Sequence, residues 1–349
     1  MSGGGPPRVA NCAPSGGSEQ RTFASAGAHL LVVRPSSLGD IVHTLSLVSD
    51  VERHAPGAVI DWVAEEAFVP LVALDRRIRR VVPVAFRRWR RDPFSSTTRR
   101  EFAAFRRALR SQKYDAILDL QEQLKGAIVA RMASGTRHGF DRANVREPIA
   151  TWLDDVHHAI DRNQHFIAKA RAMAAAALGY AVDGPPRWNI NPAARSGAMP
   201  DGPYAIAFHA TSREDKLWPE RDWTGLLAHF AQAGFQVLLP WGSDAERERS
   251  ERLARSTGNA TVPPRQTLPE LASLVRSAEI VVGVDTGLTH LAAAMGAPTV
   301  AIFTTTDATL AGVAAAGTHA VDIGGNGNVP ALDDAIEGTG RVLRGTPRC

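Results

Sequence analysis

The chain has 349 residues, 44% of them apolar and 22% charged, a globular balance that excludes both a disordered polymer and a membrane-spanning bundle. At that length two domains are expected rather than one core, and the net charge of +4 points toward an anionic partner. The two cysteines, Cys12 and Cys349, form no paired spacing; a disulfide framework and a thiolate metal site are excluded, and a reducing cytoplasm is the matching compartment.

Residues 1–27 are rich in Gly, Ser and Pro and hold no continuous apolar segment, so they are expected to be a disordered leader rather than a secretion signal. Short β-branched runs then alternate with longer Ala/Leu/Arg-rich stretches, the pattern of parallel sheets covered by helices. Strands are predicted at 29–34, 58–64, 79–84 and 114–121 within a first domain, 28–190. The stretch 191–203, "NPAARSGAMPDGP", has no periodicity and is expected to be a linker. A second domain, 204–349, has predicted strands at 204–210, 235–242, 279–285 and 298–303. It adds an amphipathic helix in "LPELASLVRSA" and a closing helix in "ALDDAIEGTGRVLR" with the option of packing back on the first domain. No apolar run reaches the roughly 18 residues that a bilayer-spanning helix needs. Two doubly wound α/β halves facing each other across a cleft are the simplest architecture, and such sheets bind ligands outside the carboxyl ends of their strands.

No Gly-x-Gly-x-x-Gly turn and no Gly-x-x-x-x-Gly-Lys-Ser/Thr loop follows a predicted strand, so the main signals of dinucleotide enzymes and P-loop enzymes are missing. The first strand runs into "RPSSLGDIVHTL", where Asp40 is either a first-turn carboxylate favoured by the helix dipole or a base at the floor of the cleft. After 204–210 comes "TSREDKLWPE", in which Thr211, Ser212 and Lys216 suit a phosphate ligand or form an ordinary polar loop. His209, on the strand before it, is read as a packing histidine. The strand 279–285 ends in Asp285-Thr286-Gly287, which is spelled like the loop of an aspartic protease. It sits between a buried parallel strand and a helix, in a chain without a second such loop, so it reads as an anion cradle built from backbone N–H groups at a helix start. His290, within two turns of that start, is a further donor or a packing residue.

Residues 75–110 are dense in arginine. Such a block is a solvated face, or a site for an anionic ligand, a lipid surface or nucleic acid; only Trp89 interleaves "RRWRR", too little for base stacking, and no nucleic-acid partner is expected.

Taken together, "RPSSLGDIVHTL", "RRWRR", "YDAILDLQ", "HATSREDKLWPE", "LPWGSDAERE" and "GVDTGLTHLAAAMGAPTVAIF" resemble, in order and across both halves, the ADP-heptose:lipopolysaccharide heptosyltransferases of glycosyltransferase family 9, above all the branch that adds the first heptose. The resemblance implies a GT-B fold, two Rossmann-like domains with the acceptor held by the first and the nucleotide-sugar by the second. It implies inverting transfer of L-glycero-D-manno-heptose from ADP-heptose to the inner Kdo of Kdo2-lipid A in Gram-negative lipopolysaccharide core synthesis, without a metal ion or other cofactor. The implied location is the cytoplasmic face of the inner membrane, peripherally bound.

By the same resemblance Asp40 is the catalytic base and Lys216 offsets charge on the departing ADP. Thr211, Ser212, Glu246, Gln266, Asp285, Thr286, Gly287 and His290 then contact the ADP-heptose, with Glu246 on the ribose. Arg87, Arg88 and Arg90 are expected to contact the acceptor. Gln266 stands where close relatives carry Met, and Ser212 where they carry Thr. The competing readings are a transferase acting later in the core or on protein, and a non-catalytic binder of nucleotide or anionic lipid, which would not need Asp40.

Overall fold

The computed structural model describes residues 27–192, 200 and 202–345. Nearly all of the expected leader and most of the expected linker lie outside the described residues, as do Cys12 and Cys349. Six strands form the first sheet: β1 (His29–Val33), β2 (Val59–Glu65), β3 (Ile78–Val84), β4 (Lys113–Asp119), β5 (Ser134–Phe140) and β6 (Val156–His158). They pair in parallel in the order β3-β2-β1-β4-β5-β6. The second sheet contains β7 (Tyr204–Phe208), β8 (Gln236–Leu238), β9 (Ala260–Thr261), β10 (Ile280–Val284), β11 (Thr299–Phe303) and β12 (Ala320–Gly324). It repeats the same winding as β12-β11-β10-β7-β8-β9, so each half is a complete doubly wound unit.

The inner strands are the ones the sequence announces. Every residue of β10, "IVVGV", and of β11, "TVAIF", is buried, because a parallel strand with helices on both faces has no wet side and needs a continuous apolar run. The strands absent from the sequence reading lie at the sheet edges or read as polar. β5 is "SGTRHGF", and its Gly139 is needed because a Cβ there would collide with the Asp154 carboxylate. β6 and β9 span three and two residues, too short for any periodicity. β8 also proves shorter than the predicted 235–242, since Pro240 has no N–H to continue the ladder.

The closing helix, Leu332–Gly345, lays Ala335 and Val342 into the core of its own half beside Trp218 and Leu226. The halves are joined elsewhere. The first core runs on into Ala272 and Leu291 of the second half, and helix Leu38–Leu45 abuts helix Gly287–Ala294. Part of the arginine block proves structural: Arg79 and Arg80 both bind the fully buried Asp61 carboxylate, at 2.7 and 2.9 Å, and the Tyr114 hydroxyl donates to the same group.

Candidate functional site

In each sheet the chain reverses direction of winding between its first and fourth strands, β1 and β4 in one and β7 and β10 in the other. Side loops diverge at such a point and leave a crevice. The two crevices face each other and share a cleft of about 940 Å³. Its lining includes Asp40 from the first turn of the helix after β1, Thr211, Ser212 and Lys216 from the segment after β7, and Asp285, Thr286, Gly287 and His290 from the turn after β10 and the helix it opens.

On the first wall, Asp40 is held from several directions. One carboxylate oxygen lies 2.8 Å from the Arg34 guanidinium; the other accepts from the Ser37 N–H and the Ser37 hydroxyl, both at 2.8 Å. Burial pushes this carboxyl up, but Arg34 and the two Ser37 donors outweigh it and bring it down to about 2. Asp40 is therefore an ionised, oriented carboxylate, and with 29% of its side chain exposed it is reachable from the cleft.

On the opposite wall, Lys216 Nζ is 2.7 Å from one oxygen of Asp285, and His290 Nε2 is 3.3 Å from the other. The Thr211 hydroxyl donates to the Asp285 carbonyl at 3.1 Å. Burial works against the Asp285 charge, yet His290, Lys216 and the Thr306 hydroxyl hold its carboxyl well below the usual carboxylate range. Thr286 caps helix Gly287–Ala294 without a side-chain hydrogen bond, so the positive end of the helix dipole is presented to the cleft. The arrangement sets an ionised carboxylate on one side of the cleft against a lysine, a histidine and a helix N-terminus on the other.

Glu246 and Gln266 also line the cleft. One Glu246 oxygen is spent on a capping box, accepting from the Gly242 N–H at 2.6 Å and the Ser243 N–H at 3.2 Å. Gln266 Oε1 is buried without a hydrogen-bond partner among the described residues. Of the predicted acceptor arginines, Arg87 lines the cleft and also an adjoining cavity of about 670 Å³, together with Arg90. Arg88 lines neither; it is clamped between Glu66 and Glu101 at 2.9 and 2.7 Å, a staple between elements rather than an open anion site.

Arg34 and His43 are site residues that the sequence alone does not single out. Arg34 directly follows β1, and His43 lies three residues after Asp40 on one helix, a spacing that puts both on one face.

Two doubly wound parallel units closed on a shared cleft, with polar and charged groups at the switch points, are the GT-B architecture. The model of glycosyltransferase family 9 (heptosyltransferase) matches residues 102–332. Lipopolysaccharide heptosyltransferase 1 of Escherichia coli K12 is 38% identical over 289 residues, 81% of this chain and 90% of that protein. A solved structure of the E. coli heptosyltransferase WaaC with ADP matches at a TM-score of 0.81 and 35% identity, covering 88% of this chain and 98% of that one. The structure of E. coli ADP-heptose lps heptosyltransferase II matches at 0.71 with 19% identity, over 91% and 99% of the two chains, a likeness of fold alone. The chain belongs to glycosyltransferase family 9 and is a heptosyltransferase.

The seam between the halves yields a prediction. A Cβ on Gly287 would lie 2.5 Å from the Leu38 Cβ and 2.8 Å from the Gly39 backbone nitrogen, well inside van der Waals contact. Backbone cannot yield cheaply, so Gly287→Ala is expected to part the two helices. A displacement of about 1 Å costs on the order of 10²-fold in turnover. Turnover, ADP affinity and the melting temperature should all fall; unchanged ADP affinity by calorimetry would show that the seam does not shape the donor site.

Proposed function

We propose that this heptosyltransferase moves L-glycero-D-manno-heptose from ADP-heptose to the inner Kdo of Kdo2-lipid A with inversion at the anomeric carbon. The observation that carries this reading is the opposition of Asp40 to the Lys216–Asp285–His290 cradle across one cleft. The acceptor hydroxyl attacks from the Asp40 side and gives its proton to that carboxylate as its oxygen bonds to the anomeric carbon. The bond from that carbon to the diphosphate breaks on the other side, and ADP leaves with the electron pair. A base on one face and the leaving group on the other give inversion.

A carboxyl near 2 is a weak base toward a free alcohol. It suffices here because the hydroxyl proton becomes strongly acidic as the new carbon–oxygen bond forms, so transfer is needed only late. Lys216, the Thr286 and Gly287 backbone and the helix dipole balance the charge growing on the diphosphate, the part a divalent cation plays in many transferases.

Thr211 and Ser212 extend the same cradle, and the second Glu246 oxygen is left for the ribose hydroxyls. Gln266 Oε1, buried and unpartnered, suits the amino group of adenine. Gln266→Leu is accordingly expected to weaken ADP binding about tenfold, the order of one hydrogen bond to a buried polar group, without lowering the melting temperature, because it also removes an unsatisfied acceptor. ADP affinity equal to that of the parent would remove Gln266 from the adenine pocket.

The acceptor reading rests on the second cavity, where Phe86, Trp89 and Phe102 form an apolar lining and Arg87, Arg90 and Lys125 supply cations. Arg guanidinium groups match carboxylate and phosphate bidentately. Beside it Phe94 is 84% exposed, at the head of helix Ser96–Arg110 with its series of arginines. An aromatic wedge flanked by cations suits the anionic cytoplasmic face of the inner membrane, and no described helix is long and apolar enough to cross it.

The test is incubation with ADP-heptose and Kdo2-lipid A, with and without EDTA, followed by mass analysis of the lipid. One heptose added in both conditions is the expected result. No addition in either would overturn the substrate assignment, and addition abolished by EDTA would overturn the metal-free mechanism.

A further inference from the structure

His43 has no part in the chemistry above, yet it lies between the two catalytic walls. It is buried on helix Leu38–Leu45, in the same half as Asp40. Its Nε2 is 3.3 Å from Nδ1 of His290 in the other half, with the rings edge to face and their centroids 4.6 Å apart. His290 Nε2 in turn meets Asp285 at 3.3 Å, and Asp285 holds Lys216 at 2.7 Å. One file of contacts therefore runs from the helix that carries the base to the groups that face the diphosphate.

The chemistry of the file gives it a direction. Asp285 is ionised and only accepts, so His290 Nε2 carries a proton toward it. The 3.3 Å gap needs one hydrogen, and with His43 Nε2 as its donor His290 Nδ1 is the acceptor and His290 Nε2–H points to Asp285. His43 Nδ1 is left as a lone pair, buried without a hydrogen-bond partner among the described residues. The same ring borders a void of about 10 Å³ shared with Arg34, Asp40, Thr44, Glu122 and Lys169, close to the least room that one water requires.

The surroundings keep the His43 ring neutral. Burial, with His290, His165 and Arg34 close by, opposes a second proton, Asp40 alone favours one, and the balance lies well below the ordinary histidine value. A third histidine braces the seam: His165 accepts from the Ile167 N–H at Nδ1 and so donates from Nε2 to the Gly312 carbonyl across the interface, at 2.9 Å. The His43 and His165 ring centroids are 5.8 Å apart.

We propose that His43 is a positioning residue for the transfer: its Nε2–H fixes the tautomer and ring plane of His290, so that His290 holds Asp285, and through it Lys216, in the one geometry that presents Lys216 to the departing diphosphate only when the two halves are closed. The proposal rests on the reading of the cradle given above. Because the contact crosses the seam, the leaving-group site is completed by the half that carries the base, and the donor is activated only in the closed enzyme.

The experiment is a double-mutant cycle in turnover of ADP-heptose and Kdo2-lipid A. His43→Phe keeps the volume and removes the donor; kcat is expected to fall about 30-fold, with the KM for ADP-heptose within about threefold, the pattern of an interaction used in the transition state. His43→Gln places an amide N–H where Nε2–H stood and should recover turnover to within about threefold of wild type. His43→Phe combined with His290→Gln should lose no more than His290→Gln alone, because His43 acts through His290.

Losses that multiply in the double variant, or a His43→Gln enzyme as slow as His43→Phe, would overturn the proposal. If His43→Phe does not fold, His43→Asn replaces it in the cycle, since its shorter amide cannot reach His290. The wild-type reaction run alongside judges the substrate assignment separately. Should wild type form no product, the same cycle is read by calorimetry on ADP, whose diphosphate carries the full charge of the leaving group: a loss in His43→Phe that vanishes in the His290→Gln background supports the role of His43, and unchanged affinity or additive losses refute it.

Discussion

Asp40→Asn is expected to leave ADP-heptose binding within about twofold of wild type while lowering kcat by roughly 10²–10⁴-fold, the range for loss of a positioned general base. The amide keeps the shape of the carboxylate, still accepts from Ser37 or Arg34, and has no basic lone pair for the proton. Calorimetry with ADP and single-turnover assays of lipid product separate the two effects. Wild-type turnover in Asp40→Asn would dismiss Asp40 as the base and return the chain to the competing reading of a binding protein.

The pH dependence follows from the same contacts. The Asp40 carboxyl lies at about 2 in the fold against 3.8 as its ordinary value, so it binds a proton less readily when folded. The stability this contributes is complete above the unfolded value and is lost as pH falls from there through the folded one. Between about pH 5 and 8 the group stays ionised, and kcat/KM of the wild-type enzyme should show no acid limb due to Asp40. An acid limb present in wild type and absent from the residual activity of Asp40→Asn would contradict this.

Lys216→Met is expected to cost about 10²–10³-fold in kcat, the scale of one lost electrostatic contact to developing charge. It carries a second effect that Asp40→Asn lacks. Lys216 leaves behind Asp285, a buried carboxylate whose remaining side-chain partners are His290 and Thr306, and an uncompensated buried charge is costly. The melting temperature should therefore fall along with turnover. Adding Asp285→Asn to Lys216→Met should restore the melting temperature without restoring turnover. A double variant as unstable as the single would show that the pair is not coupled in this way, and wild-type kcat in Lys216→Met would remove the lysine from leaving-group stabilisation.

The inner strands, the turn after β10 and the strand-to-helix junction that carries Asp40 can be read from residue order because each is a local signal. A buried parallel strand must be continuously apolar, and "EIVVGVDTG" and "HLLVVRPSSLGD" are such strands followed at once by their turns. Arg88 shows where that logic stops. Its position inside "RRWRR" is indistinguishable from those of Arg87 and Arg90, yet Glu66 and Glu101 from other elements claim it. Arg79 and Arg80 are claimed likewise by Asp61. Charge density along a chain does not say which charges are already paired.

By itself the sequence determined the doubly wound class, the strand ends at which to search and, through the resemblance, a family. Those properties depend on apolar periodicity and on residues adjacent in the chain. The tertiary structure alone decided that Arg34 and Ser37 hold the Asp40 carboxyl at about 2, and that Gly287 is a glycine because Leu38 and Gly39 press on it. It likewise decided that His43 reaches His290, 247 positions away. Burial, pairing and proton affinity are set by which groups closure of the two halves brings within a few ångströms, and separation along the chain carries no record of that.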